Sequence, residues 1–182
     1  MRKKLLALLM VAPLIVVACG DDDGSGVRNV GESSESGSAS GSGSGSGSAV
    51  ACEPVGNPST ADSTVGVTLD EWSVTPDSDG VAAGAINFAA DNVGEDAHEL
   101  VIVEGSDPDA LPLADDGSVD EGALPDGAFI GEIEVFPPGE TCDGVFELAA
   151  ADYVLFCNIV EVEDGEVENH FELGMRTVFT VG

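Results

Sequence analysis

From residue 64 to residue 181 the chain is a succession of short apolar runs, each about one strand long and each closed by Gly, Pro, Asp or Asn. The runs are "TVGVTLDEWSV", "GAINFAADN", "HELVIVEG", "AFIGEIEVF", "GVFELAA", "DYVLFCN" and "MRTVFTV". Some alternate apolar with polar residues and others are unbroken; both patterns read as strands at this length. No window keeps a helical period for more than two turns. Many short strands with turn residues between them predict an all-β, Greek-key β-sandwich of seven or eight strands. The stretch from Gly105 to Gly127 is acidic and contains prolines, and is predicted as a long loop with at most one helical turn.

The N-terminal third has a different pattern. Met1-Arg2-Lys3-Lys4 is basic and Leu5 to Val17 is apolar, too short for a comfortable membrane span and followed by small residues. That is how an export signal reads, placed here at residues 1–18. Val16-Val17-Ala18-Cys19 resembles a bacterial lipobox, which implies cleavage before Cys19 and a lipid on its thiol. Residues 19–49 are Gly, Ser and Asp around "SGSASGSGSGSGSA", a composition with no apolar surface to bury. A flexible tether of that length reaches on the order of 30 Å. The folded domain is therefore expected at residues 50–182, anchored by lipid to the outer face of a bacterial cytoplasmic membrane.

Charge narrows the partners. The whole chain carries −30, with 35 acids against five basic residues. Without the signal, two arginines face the 35 acids, a net of −33, and residues 50–182 contain no lysine. Such a surface repels nucleic acid and anionic lipid and would steer a basic partner. The same acids read equally as a solvating adaptation to salt or low pH. No phosphate loop or paired-carboxylate signature rises above this background, and nothing beside a Cys–His pair suggests a thiol hydrolase. An enzyme is not expected.

With Cys19 assigned to lipid, three cysteines remain in an exported chain, where disulfides are favoured and an odd thiol signals reactivity or a metal. Cys52 opens the domain and Cys142 follows "FPPGET" in a predicted loop, so these two are plausible partners; a Cys142–Cys157 pair is the alternative. A lone Cys157 thiol would survive oxidation best with a soft ion bound. Two imidazoles, a thiolate and a weak thioether make up a blue copper site. The chain offers that set once, as His98, Cys157, His170 and Met175. Zinc would accept the first three, but a thioether suits it poorly.

In these residues, and in "NVGEDAHELVIV", "GEIEVFPPGE" and "YVLFCN…HFELGMRTVFTV", the chain resembles the cupredoxins, the plastocyanin- and azurin-like blue copper proteins. The resemblance spans most of residues 65–181. It implies one type 1 copper ion, with His98 and His170 as imidazole ligands, Cys157 as thiolate and Met175 as axial ligand. It also implies single-electron transfer between extracytoplasmic redox partners by a monomer, and a second-histidine edge that reaches the surface. One departure is the spacing: small members have two to four residues between the cysteine and the second histidine, and here Asn158–Asn169 makes twelve. This acidic insert is expected to bulge outward; it reads equally as a docking surface for a basic cytochrome, oxidase or reductase and as a solvated insertion. A copper carrier without an electron-transfer role, and a metal-free sandwich, are the rival readings.

Overall fold

The computed structural model describes residues 51–163 and 165–182. The expected signal, the lipidated Cys19 and the tether lie outside the described residues. Strand β1 (Ser63–Asp70) alternates inward Val65, Val67 and Leu69 with outward Thr64 and Thr68, as a half-buried strand should. After a turn at Glu71 and Trp72 come β2 (Ser73–Pro76), the two-residue β3 (Gly80–Val81) and β4 (Gly84–Asn92). Strands β5 (His98–Glu104) and β6 (Phe129–Phe136) flank the long loop, followed by β7 (Thr141–Leu148) and β8 (Ala151–Phe156). The strand β11 (Arg176–Val181) closes the chain, after a ribbon of β9 (Val160–Glu163) and β10 (Glu166–Asn169) and one helical turn, α1 (His170–Leu173).

Two sheets form the sandwich, in the orders β2-β1-β4-β7 and β3-β11-β8-β5-β6. The β1–β4 and β3–β11 pairs are parallel and the other pairs are antiparallel. The core lies between the sheets and is filled by every second residue of each strand: Ile86, Phe88 and Ala90 from β4, Leu100 and Ile102 from β5, Tyr153 and Leu155 from β8. Cys157 continues the inward phase of β8 and joins this core, as does Met175. A second apolar layer covers the opposite face of β5 and β8, where Val101, Val103, Val154 and Phe156 meet Phe171, Val119 and Ala128. That double coverage explains why "LVIV" and "YVLF" are unbroken apolar runs: both faces are buried.

The all-β sandwich expected from the pattern is what forms. The strand count is higher than expected, because the "DEW" turn divides the first run, β3 is too short to leave a pattern, and the insert is itself a hairpin. The loop from Gly105 to Gly127 holds two 3-10 turns, Pro108–Ala110 and Glu121–Ala123. A disulfide joins Cys52 to Cys142 across 90 residues of chain, which contributes about 4–5 kcal/mol in the chain-entropy account. Cys142 sits in β7 and not in a loop, and Cys157 is free and buried.

Candidate metal centre

His98, Cys157, His170 and Met175 come from separate places in the sequence and meet at one end of the sandwich. His98 is the first residue of β5, and Cys157 follows the last residue of β8, its neighbour. The antiparallel register that sets Val101 opposite Phe156 brings those two ends together. Cys157 N–H donates to the Met175 carbonyl (3.0 Å) and Met175 N–H to the His170 carbonyl (2.9 Å). His170 N–H in turn donates to the Ile159 carbonyl at 3.0 Å, so the two ends of the insert close on each other. All four side chains are buried with no exposed surface.

The insert does project, as the spacing predicts, but as an antiparallel ribbon in which Val162 pairs with Val167 and Glu161 with Glu168. Gly165, at φ 88°, makes the turn, a backbone region that a side chain disfavours. Asn169 ends the ribbon and caps α1, its side-chain oxygen accepting from Glu172 N–H at 3.0 Å. His170 is therefore presented by a helical turn that the sequence pattern did not reveal.

Three donor atoms converge. His98 Nδ1 lies 3.2 Å from His170 Nδ1, and Cys157 Sγ lies 3.5 Å from that same nitrogen. The ligand atoms of the three residues all fall within 4.8 Å of one another. On the far side of each ring, Nε2 meets a carboxylate: His98 Nε2 to Glu71 Oε1 at 3.1 Å, His170 Nε2 to Glu161 Oε1 at 3.2 Å. A carboxylate only accepts, so each Nε2 carries the proton and each Nδ1 presents a lone pair. Two lone pairs at 3.2 Å repel unless a cation or proton lies between them. Burial, then the neighbouring His170, hold His98 below the ordinary imidazole range, which leaves it neutral. The donor set thus fits a soft or borderline cation, with Met175 in the same apolar cluster as Cys157.

Electrostatics around the donors follow from burial. The Cys157 thiol is pushed up to about 12, chiefly by burial and then by the charge of Glu99, so a metal must displace its proton in order to bind. Burial alone would raise the Glu71 carboxyl, but the backbone N–H groups of Asp96, Glu71 and Glu95, with His98, outweigh it and hold it below the usual carboxylate range. Behind Cys157, Asn158 N–H donates to Glu99 at 2.9 Å. Burial, with Glu132, Glu121 and Glu134 nearby, raises Glu99 to about 7.

One expectation fails here. The second histidine's edge does not reach the surface: His170 is covered by Glu161 and by Trp72, whose ring meets it edge-on at 5.1 Å between centroids. The cover comes from two places, Glu161 on the first strand of the insert and Trp72 on the turn between β1 and β2. Glu71 and Trp72 were missed in the sequence because neither stands near a ligand along the chain. Glu161 is one acid among several in the insert, and its place in the sequence does not set it apart.

No family model matches the sequence, and no curated protein matches it. Among solved structures, the chain is similar to auracyanin B at 21% identity and a TM-score of 0.49, covering 72% of this chain and 96% of that one. It is also similar to auracyanin A, described as a "blue" copper protein of Chloroflexus aurantiacus, at 20% identity and a TM-score of 0.40, covering 65% and 98%. Rusticyanin from Thiobacillus ferrooxidans is similar at 16% identity and a TM-score of 0.38, covering 65% and 77%.

Proposed function

We propose that this chain is a type 1 copper protein that carries single electrons. The observation that supports it most directly is the buried convergence of two Nδ1 atoms and the Cys157 sulfur, all within 4.8 Å of one another. His98 and His170 would hold the ion through Nδ1, Cys157 through Sγ and Met175 through its thioether. When bound, copper supplies one-electron chemistry, cycling between two oxidation states for which this mixed soft and borderline donor set is suited. The residues themselves provide orientation and exclusion. The two sheets fix β5 and β8, the carboxylates fix the imidazole tautomers, and the apolar core keeps water from the thiolate. A site already shaped in this way has little to rearrange when an electron arrives or leaves.

The rest of the reading concerns where this happens. The export signal, a lipid on Cys19 and the Gly/Ser tether would hold the domain at the outer face of a bacterial membrane, within about 30 Å of its anchor. A chain with a net of −33 after removal of the signal suits a basic redox partner. Electrons would be taken from one such protein and delivered to another. The alternative, a copper carrier, asks for a site that releases its ion readily, and complete burial of all three donors disfavours it.

Loading residues 50–182 with Cu(II) tests the reading. The wild-type domain is expected to show an intense thiolate-to-copper charge-transfer band and to cycle reversibly at an electrode. Cys157→Ser is expected to lose that band altogether, because a hydroxyl cannot replace a polarizable thiolate. A Cys157→Ser protein that stays intensely coloured, or a wild type that binds copper without reversible cycling, would remove electron transfer as its function.

A further inference from the structure

The two carboxylates that meet the imidazoles have a role beyond packing, and the inference about them rests on the metal-centre reading above. We propose that Glu71 and Glu161 are positioning residues of the centre, which turn both imidazoles Nδ1-inward and bias the bound metal toward its higher oxidation state.

The geometry is specific. Each imidazole is buried, and each Nε2 has a carboxylate oxygen in hydrogen-bond reach, at 3.1 Å for His98 and 3.2 Å for His170. A neutral imidazole has one N–H to give, so these acceptors decide which nitrogen keeps the proton. Glu71 is held in place from the other side. Its Oε1 also accepts the Glu95 and Asp96 N–H groups, at 2.9 and 3.0 Å. Space for it is made by Gly94, where an added Cβ would run into the Glu71 carboxylate. One oxygen with three donors is a built acceptor, not a passing surface contact.

Both groups also place negative charge beside the donors with no cation to offset it. The domain contains no lysine, and its one arginine, Arg176, pairs with Asp109 at 2.9 Å and stacks on Phe171. A metal between His98 and His170 would therefore sense two carboxylates through the imidazoles, an arrangement that strengthens the ligands and favours the more highly charged ion. Cu(II) gains more from this than Cu(I). Replacing either carboxylate by the isosteric amide keeps an oxygen that can accept from Nε2 but removes the charge.

Three measurements decide the matter. In the metal-free wild-type domain, 15N chemical shifts of the two imidazoles are expected to report protonated Nε2 at both His98 and His170. With Cu(II) added, Glu71→Gln and Glu161→Gln are each expected to keep the charge-transfer band. Each should raise the potential by a tenfold change in the Cu(I)-to-Cu(II) affinity ratio, about 59 mV for one electron. Glu71→Ala, which deletes the acceptor, is expected to lose about 10–100-fold in Cu(II) affinity, and Glu71→Gln to restore most of it. Glu168→Gln, which removes a charge of the same ribbon that makes no hydrogen bond to either imidazole, is the reference for a general electrostatic effect. Nδ1-protonated imidazoles in the wild type would overturn the positioning role. Potentials that move no more in Glu71→Gln and Glu161→Gln than in Glu168→Gln would overturn the bias. If the wild type takes up no copper, the proposed function fails, while the 15N measurement still judges the positioning role on its own.

Discussion

His98 opens a strand in the interior of a five-stranded sheet, whereas His170 follows a two-stranded ribbon that projects from the sandwich. The carboxylate beside His98 takes three donors and its side chain is 22% exposed. The carboxylate beside His170 takes the imidazole alone and is 43% exposed. A half-buried, multiply bonded acceptor is held in one place, while a more exposed one on a ribbon loses part of its hold to solvent and to side-chain entropy. The two imidazoles look alike at the donor atoms and differ in what stands behind them. What this teaches is that one half of the centre is framework and the other is added structure, so damage to each should read out differently.

The largest difference should appear in stability. Asn92 is buried with no exposed surface, and its side chain ties together the loop before His98, donating to the Asp96 and Phe136 carbonyls at 2.9 and 3.2 Å and accepting from Gly94 N–H at 3.1 Å. Asn92→Ala leaves those groups without partners and should cost about 2–4 kcal/mol in chemical denaturation. Asn169→Ala, on the His170 side, removes the cap of α1 and the bond to the Asp116 carbonyl, and should cost about 1–2 kcal/mol. Equal costs would erase the distinction between framework and addition.

A smaller effect concerns pH, and it belongs to the framework side. Glu132 on β6 is raised to about 7, first by burial and then by the charge of Glu134. A carboxyl whose folded value lies above its unfolded one binds its proton more tightly in the native state. Its contribution is therefore fully present below the ordinary carboxylate range and is lost as pH climbs to about 7. Urea midpoints should fall between pH 5 and pH 8, and Glu132→Gln should recover about 1 kcal/mol at pH 8, allowing for partial exposure. A pH slope in Glu132→Gln identical to that of the wild type would clear this residue of the effect.

The smallest effect on stability belongs to the ribbon. Glu161 pairs with Glu168, and Glu163 with Glu166, in the register of the ribbon. Changing Glu163, Glu166 and Glu168 to Gln, with Glu161 kept for His170, should alter stability by only a few tenths of a kcal/mol. The same variant is expected to slow electron transfer to a basic cytochrome several-fold at low salt and to flatten its salt dependence, since screening acts within about 10 Å at 0.1 M. Stopped-flow rates across ionic strength measure both. Unchanged rates would leave the ribbon as solvated surface.

Much of the fold could be read along the chain, because each strand announces itself by its own alternation or by an apolar run. The residues of the donor set could be named for a related reason: a chain with two histidines and three methionines offers few ways to assemble soft ligands. The ribbon could have been recognised too. "VEVEDGEVEN" alternates valine with glutamate around Asp164-Gly165, a hairpin signal that the density of acids concealed. Glu71, Gly94 and Trp72 left no such trace. Their part in the site depends on a turn between β1 and β2 meeting a loop between β4 and β5, and nothing local encodes that meeting.

The sequence by itself determined the all-β class and the four residues able to supply soft and imidazole donors, and it left the Cys52–Cys142 crosslink as one of two pairings. These are properties of residue type and periodicity, which need no knowledge of neighbours. Only the tertiary structure decided that His170 is buried and not exposed, that both imidazoles turn Nδ1 toward each other, and that Glu71 and Glu161 stand behind them. Those outcomes depend on side chains 9 to 72 residues apart in sequence sharing a space of a few ångströms. Which partners occupy that space is set by sheet register and by the path of an insert, and a one-dimensional pattern does not contain either.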